Sequence, residues 1–349
     1  MKSQFAAFLF CTALPVLAQN DSVWLTTGEI VRDVAVTSWD VRALKYTKGG
    51  GNETVSSDKV AQVVLAKYKD QYRRGIDGRD PDFFLGSAGE CVAAKNLLLA
   101  QFGYHAAARL WFDNGEAAKA VSALDELVKQ CPDAGLLPEV YRMKFEYYMG
   151  RGQAGARDAS AVAKKYIADA NGNAWPAGLA LEGEFFAAMA ERVGGGEAKA
   201  FESRLREIVG RALGNFPQIA NRANVQLGNS LRDSGKNEDA RKIYQDIVDK
   251  EGVDENARAG AYIGLGSIRS AEGSPGAKEA YREAMLLFLR VRIEAKGSWD
   301  SLQAEALYGA MDAALKWGGE DSRTIAGRCK FLITTEYADT EWAGRAKGR

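Results

Sequence analysis

Hydrophobic residues along this chain follow two different periods, and the change between them lies near residue 66. Between residues 20 and 66 Val, Thr, Trp and Tyr are frequent, apolar and polar residues alternate in VRALKYT (41–47), and KGGGN (48–52) interrupts the pattern. Alternation with a period of two is typical of a strand with one buried face. The pattern predicts about five short strands, and closure into a small barrel would protect their edges.

From about residue 88 to 345 the pattern has the period of a helix throughout. Ala, Leu, Glu, Lys and Arg dominate, and glycines separate the apolar runs. So long a region requires internal repetition, because one amphipathic helix does not extend that far. Residues 67–87 are charged, contain Gly and are interrupted by Pro81, so we interpret them as a linker with some helix at its start.

Two stretches of the helical region share one spacing: GEAAKAVSALDELVKQCP (115–132) and GKNEDARKIYQDIVDKEG (235–252). A small residue at the crossing of two helices lets their backbones approach, and bulky residues fill the space around it. The matched positions are Tyr104, Ala107, Ala108, Trp111, Ala120, Leu124, Leu127 and Pro132 in the first copy, and Leu227, Gly228, Leu231, Ala240, Tyr244 and Ile247 in the second. Weaker copies lie between and after them, one of which places Gly266 and Tyr281 at these positions.

On these positions residues 100–345 resemble tetratricopeptide repeat (TPR) proteins of the bacterial cell envelope. The closing TTEYADTEWAGRAK (334–347) is similar to their recurrent helix junction, with Ala338 where Pro is usual. The resemblance implies a mainly α fold: an α-α superhelix of TPR-like repeats over 88–349, preceded by a small all-β module of the SH3-like barrel type over 20–66. A generic α-α superhelix is the alternative.

The first 18 residues predict a cleaved signal peptide. Lys2 precedes the apolar run FAAFLFCTALPVLA, and small residues lead to a cleavage site after Ala18. We therefore expect an exported protein, periplasmic or extracellular, with no stable membrane insertion. Lys and Arg balance Asp and Glu at 46 each, so the net charge favours neither nucleic acid nor an anionic membrane as a partner.

Cysteine and histidine are too few to indicate metal or redox chemistry. Cys91, Cys131 and Cys329 allow at most one internal disulfide, and buried free thiols are the favoured interpretation. His105 is the only histidine, so a His-based zinc site or a Ser-His-Asp centre has too few groups. We expect no cofactor and no metal, and no pair of carboxylates is distinguished by its pattern.

The remaining expectation is recognition of proteins or peptides without catalysis. The resemblance implies that inner-face residues of the first helix in each repeat line a partner-binding groove, while a solvated surface is the alternative for the charged ones. These residues are Phe102, His105, Arg109 and Phe112 in one repeat, and Arg222, Asn229 and Arg232 in the other. We therefore predict a periplasmic scaffold or adaptor, with self-association left open. The alternative is an envelope enzyme, such as a peptidoglycan-acting hydrolase, with carboxylates between the β module and the array.

Overall fold

A computed structural model describes residues 20–25 and 29–349; the predicted signal peptide lies outside the described residues. The strands are β1 (Asp21–Leu25), β2 (Ile30–Trp39), β3 (Ala43–Lys48), β4 (Gly51–Ser56) and β5 (Val60–Val64). The helices are α1 (Ala66–Gly78), α2 (Pro81–Ala93), α3 (Leu97–Asp113), α4 (Ala117–Gln130), α5 (Leu137–Gly150), α6 (Ala156–Gly172), α7 (Ala177–Val193), α8 (Ala198–Ala212), α9 (Pro217–Asp233), α10 (Asn237–Asp249), α11 (Glu255–Ala271), α12 (Lys278–Glu294), α13 (Asp300–Trp317), α14 (Ser322–Glu336) and α15 (Glu341–Lys347). The predicted fold class, a mainly helical array after a small β module, is confirmed.

The five strands form one antiparallel sheet in the order β4-β3-β2-β1-β5. The long strand β2 serves both halves, because its first part pairs with β1 and its second part with β3. A short 3-10 helix at Ser57–Lys59 joins β4 to β5. This is the strand order of an SH3-like barrel. Within the described strands no ladder joins β4 to β5, so the barrel is partly open at these two edges.

Trp39, the last residue of β2, anchors the sheet on the helical array. Its indole ring lies over Gly135, where a Cβ atom would be only 2.4 Å from the ring, and it contacts the ring of Phe102 at 5.8 Å. The Trp39 carbonyl accepts hydrogen bonds from the Gly135 amide at 3.2 Å and from the Gln101 side chain at 3.3 Å. The buried core therefore continues from Val23 in the sheet into the helices, as far as Leu227.

The stretch interpreted as a linker, residues 67–87, belongs to the helices α1 and α2. Pro81 does not interrupt a helix there but begins one, since Asp80 caps α2 by accepting from the Phe83 amide at 3.1 Å. Tyr72 of α1 is fully buried and donates to the Leu99 carbonyl at 2.9 Å. The β module is therefore connected to the array through packed helices rather than through an extended segment.

From α3 onward each helix packs against the next one along the chain. At two of the crossings, a pair of glycines encloses one aromatic ring. Tyr244 of α10 is fully buried between Gly228 of α9 and Gly264 of α11, where a Cβ atom would lie 2.6 and 2.3 Å from its ring. The predicted small residue Ala240 is also fully buried on the same helix. These residues confirm the spacing inferred for this repeat.

The next repeat uses the same arrangement with a different residue from the one predicted. Phe288 of α12 lies between Gly266 of α11 and Gly309 of α13, with hypothetical Cβ atoms 2.9 and 2.6 Å from its ring. Tyr281, which the sequence pattern placed at this crossing, is only partly buried. The crossing lies seven residues further along α12, two helical turns beyond Tyr281.

We predict opposite effects of Gly→Ala substitution at two helical glycines. Gly264→Ala should lower the free energy of unfolding by about 1–3 kcal/mol, because the new methyl group overlaps the Tyr244 ring. Gly327→Ala, on the exposed face of α14 with no atom near the added group, should raise it by about 0.5–1 kcal/mol. Urea unfolding of both variants measures this difference, and equal effects would contradict the tight crossing.

The thiols of Cys91, Cys131 and Cys329 are all free and buried, which confirms the favoured interpretation of the cysteines. In the part of the chain that the structure describes, no helix has the length and apolar character needed to cross a membrane.

The inner helices of the array close into a ring. α5, α7, α9, α11 and α13 follow one another around it, and α13 returns to lie against α5. The rings of Phe145 of α5 and Phe186 of α7 stack with centroids 4.1 Å apart, and Trp299, just before α13, packs against both, with ring centroids 5.9 and 5.8 Å away. The concave face is therefore not a long open groove but the wall of a central space.

Candidate functional site

A cavity of about 200 Å³ occupies the centre of this ring. Its walls come from all five inner helices and from α15, and we call it the central cavity. Its apolar lining includes Met149, Phe185, Met189, Ile263, Trp299 and Trp342, and its polar lining includes Arg222, Gln226, Asn229, Ser301, Glu305 and Glu341. Each wall element belongs to a different repeat, so the site exists only when the ring is closed.

A buried ionic network crosses four helix layers beside the cavity. Glu182 of α7, with a side chain only 4% exposed, accepts from Arg142 of α5 at 2.9 Å and from Arg222 of α9 at 3.0 Å. Arg222 also pairs with Asp254 at 2.7 Å, and Asp254 caps α11 through the Ala257 amide at 3.2 Å. We call Arg142, Glu182, Arg222 and Asp254 the ionic ladder.

The ladder keeps Glu182 ionised although burial opposes its charge. Burial raises the pKa of this carboxyl, but Arg142 and Arg222 together outweigh that effect, so the pKa lies below its usual value. The Tyr166 hydroxyl donates a further hydrogen bond at 3.0 Å. Since the Arg222 guanidinium is already paired with two carboxylates, its role is to join α9 to its neighbours.

The three groove residues predicted on α9 have three different surroundings. Arg222 and Asn229 line the central cavity, but Arg222 is held in the ionic ladder. Asn229 accepts from the Tyr244 hydroxyl at 2.7 Å and donates to Gln226 at 3.1 Å. Arg232 pairs with the adjacent Asp233 at 3.0 Å. Both arginines are therefore already paired, and neither offers a free cation to a ligand carboxylate.

The four groove residues predicted on α3 do not line the central cavity. Phe102 lies beneath Trp39 of the sheet, as described above, and also contacts the Tyr68 ring at 6.0 Å. His105 contacts the Glu139 carboxylate of α5 at 3.0 Å, and Arg109 is exposed. The α3 residues were predicted to share one groove with those of α9. At the start of α3 the sheet and α1 cover that face, because Trp39 and Tyr68 pack on Phe102.

The fourth of these residues lies at the opposite end of α3. Phe112 packs against the Tyr147 ring of α5, with ring centroids 5.5 Å apart. The structure therefore brings Arg222 and Asn229 together in one cavity and keeps the α3 residues at a separate surface.

Glu305 of α13 differs from the other charged groups of the central cavity, because its carboxyl has no hydrogen-bond or ion-pair partner among the described residues. Burial is the main cause that raises its pKa, to about 7; Glu341 and Asp233 add to this, and Arg232 and Arg345 oppose it. Near neutral pH this carboxyl is therefore poised between its protonated and ionised forms.

A second carboxyl with a raised pKa lies where the ring closes. Glu146 of α5 accepts a hydrogen bond from the backbone amide of Asp300, the first residue of α13. Burial and the nearby Asp300 carboxylate raise the pKa of Glu146 to about 8, although the hydrogen bond opposes the shift. Closure of the ring therefore brings two carboxyl groups close together.

Among the described residues, no group of three or more His, Cys, Asp or Glu side chains is arranged to hold a metal ion. No family model matches this chain, and no match was found among curated proteins.

Sequence reasoning did not single out Glu182, Glu305 or Trp299. The sequence did contain an indication of Glu182: it is the only acid among the buried residues of α7, which are otherwise glycine or apolar. Glu305 and Trp299 carry no comparable local signal, since their surroundings come from helices distant in the sequence.

Proposed function

We propose that the protein is an exported, non-enzymatic recognition scaffold that binds a segment of a partner protein in the central cavity. The observation that carries this proposal is the cavity itself, where the inner helices of successive repeats present apolar walls and a few polar groups to one space. Export is supported by the pattern of the first 18 residues. The TPR assignment is part of the proposal, and its support is the small-residue crossings at Ala240 and Gly228.

The size of the cavity limits what it binds. Sites for drug-sized molecules have volumes of roughly 300–1,000 Å³, whereas this one has about 200 Å³. We therefore propose that one or two side chains of the partner enter the cavity, while the rest of the partner contacts the rim. Specificity then depends on the inserted side chain.

Filling the cavity should remove binding. Peptides selected from a random displayed library on the wild-type protein should bind Met189→Trp at least about tenfold more weakly, because the indole occupies the space of the inserted side chain. Val193→Trp places the same group at a second lining position and should have the same effect. Fluorescence anisotropy with labelled peptides measures the affinities.

The matched control for this experiment is Lys242→Trp, which puts an indole on the exposed face of α10 and should leave affinity unchanged. Circular dichroism and melting curves establish that all variants fold alike. Failure to select any peptide, or equal affinity of the plugged and control variants, would reject the cavity as the binding site.

An envelope hydrolase is the second candidate, and one observation favours it. Glu305 and Glu341 line the same cavity, and their environments differ, since Glu341 is paired with Arg345 at 3.1 Å while Glu305 is unpaired. Such a difference is used in acid–base catalysis. The cavity is, however, within the array and too small for a run of sugar rings, so we favour recognition. Turnover of purified peptidoglycan that disappears in Glu305→Gln would reverse this preference.

A further inference from the structure

The unpaired Glu305 carboxyl indicates which chemical group the central cavity accepts. The other carboxylates around the cavity have partners on the protein: Glu341 binds Arg345, and Asp254 binds Arg222. Glu305 faces the cavity with no such partner among the described residues. Glu305 is partly buried, so water solvates its carboxylate less well than a surface group, and a ligand cation that hydrogen-bonds to it gains affinity at this position.

The charges facing Glu305 do not already neutralise it. Arg232 and Asp233 face it from α9, and Glu341 and Arg345 face it from α15. Each of the two arginines is paired with an acid on its own helix, Arg232 with Asp233 and Arg345 with Glu341. The surrounding side chains thus contribute two positive and two negative charges, and they leave the ionised form of Glu305 without a net counter-charge.

The remaining walls suit an alkyl chain that ends in an ammonium group. Met149, Met189 and Phe185 provide adaptable apolar contacts for methylene groups. Trp299 and Trp342 provide aromatic faces, which attract cations. The Trp342 ring already has the Arg345 guanidinium 4.4 Å from its centroid, so one of its faces is occupied by a cation of the protein itself.

We infer that the central cavity is a site for an alkylammonium group, as carried by a lysine side chain of the partner, with Glu305 as the acceptor. A single lysine side chain fits the volume argued above. This inference rests on the proposed recognition function and specifies its ligand. Because Glu305 holds a proton in part of the population near pH 7, binding of the cation releases that proton.

Hexylammonium is the test probe, with hexanol and hexanoate as neutral and anionic probes of the same length. At pH 8, titration calorimetry should show hexylammonium binding at least about tenfold more tightly than either, because it alone makes a charge-assisted hydrogen bond to Glu305. At pH 6, binding should release close to one proton per ligand, which calorimetry in buffers of different ionisation enthalpy measures.

Glu305→Gln tests the role of the carboxylate directly, since it keeps the size of the side chain. It should reduce hexylammonium affinity to the level of hexanol, leave hexanol binding unchanged and abolish proton release. Glu279→Gln, an exposed carboxylate on α12, is the control and should behave as the wild type.

The outcomes separate the two proposals. If hexanol binds as tightly as hexylammonium, or if Glu305→Gln binds the amine normally, the ammonium site is rejected while the cavity stands as a recognition site. If none of the three probes binds, yet selected peptides still lose affinity in Met189→Trp, the ammonium site is again the part that fails. If the selected peptides also bind Met189→Trp with unchanged affinity, both the ammonium site and the proposed recognition function are rejected.

Discussion

Glu182→Ala should lower the free energy of unfolding by about 3 kcal/mol, the largest loss we expect from one substitution in this chain. Removing one partner of a buried ion pair typically costs about 3–5 kcal/mol, because the remaining charge stays buried. Here Arg142 and Tyr166 would lose their acceptor. The loss falls at the lower end because Arg222 keeps Asp254, and because the Arg142 side chain, 39% exposed, can turn toward solvent.

Glu184→Ala on the same helix is the matched control. Glu184 pairs with Arg211 at 2.6 Å, but its side chain is 25% exposed and that of Arg211 48%, so water screens the pair and the loss should be below about 1 kcal/mol. Urea unfolding followed by circular dichroism measures both variants. If the two substitutions had equal effects, the ionic ladder would be no more important to stability than an ordinary surface pair.

Glu146→Gln should change how stability depends on pH. In the folded protein the raised pKa of Glu146, about 8 against an ordinary 4.5, means that this carboxyl holds a proton which the unfolded chain releases. Stability from this group is therefore fully present below pH 4.5 and declines as the pH rises toward 8, with a slope of at most about 1.4 kcal/mol per pH unit. The variant lacks this decline, because an amide does not titrate.

The glutamine variant should therefore match the wild type near pH 4 and exceed it in stability near pH 8. Glutamine also keeps an oxygen that can accept from the Asp300 amide, so the contact at the ring closure is retained. Denaturant midpoints at both pH values measure the effect, with Glu279→Gln as the exposed control. If the difference in stability between the variant and the wild type were the same at both pH values, Glu146 would titrate with its ordinary pKa.

The features predicted correctly from the sequence are those that depend on the spacing of apolar and small residues within one element. The change from alternating to helical pattern placed the β module, and the position of Ala240 and Tyr244 within one helix predicted their burial at a crossing. The helix expected at the start of residues 67–87 is α1, and Pro81 follows the break after it. The local pattern did not indicate that Pro81 also begins α2, a helix that Asp80 caps.

The candidate site could not be predicted in the same way, because it is formed by distant parts of the chain. Glu146 and Asp300 are 154 positions apart, and no periodicity relates them. The α3 and α9 residues were predicted to share one groove on the assumption of an open superhelix. The curvature that separates them is the sum of many small packing angles, each set by side-chain volumes at a crossing.

The packing of Trp299 against the stacked rings of Phe145 and Phe186 has a mechanical consequence. In an open repeat array each repeat contacts only its neighbours, so we expect tension to lengthen the array through a small change at every interface between repeats. In this chain the first and last inner helices are fastened together, so a pull on the two ends is resisted by the Trp299 contact with Phe145 and Phe186 until it parts. The closed ring should therefore open in a single step when the chain is pulled from its ends. In a force–extension measurement, Trp299→Ala should replace that step by gradual extension.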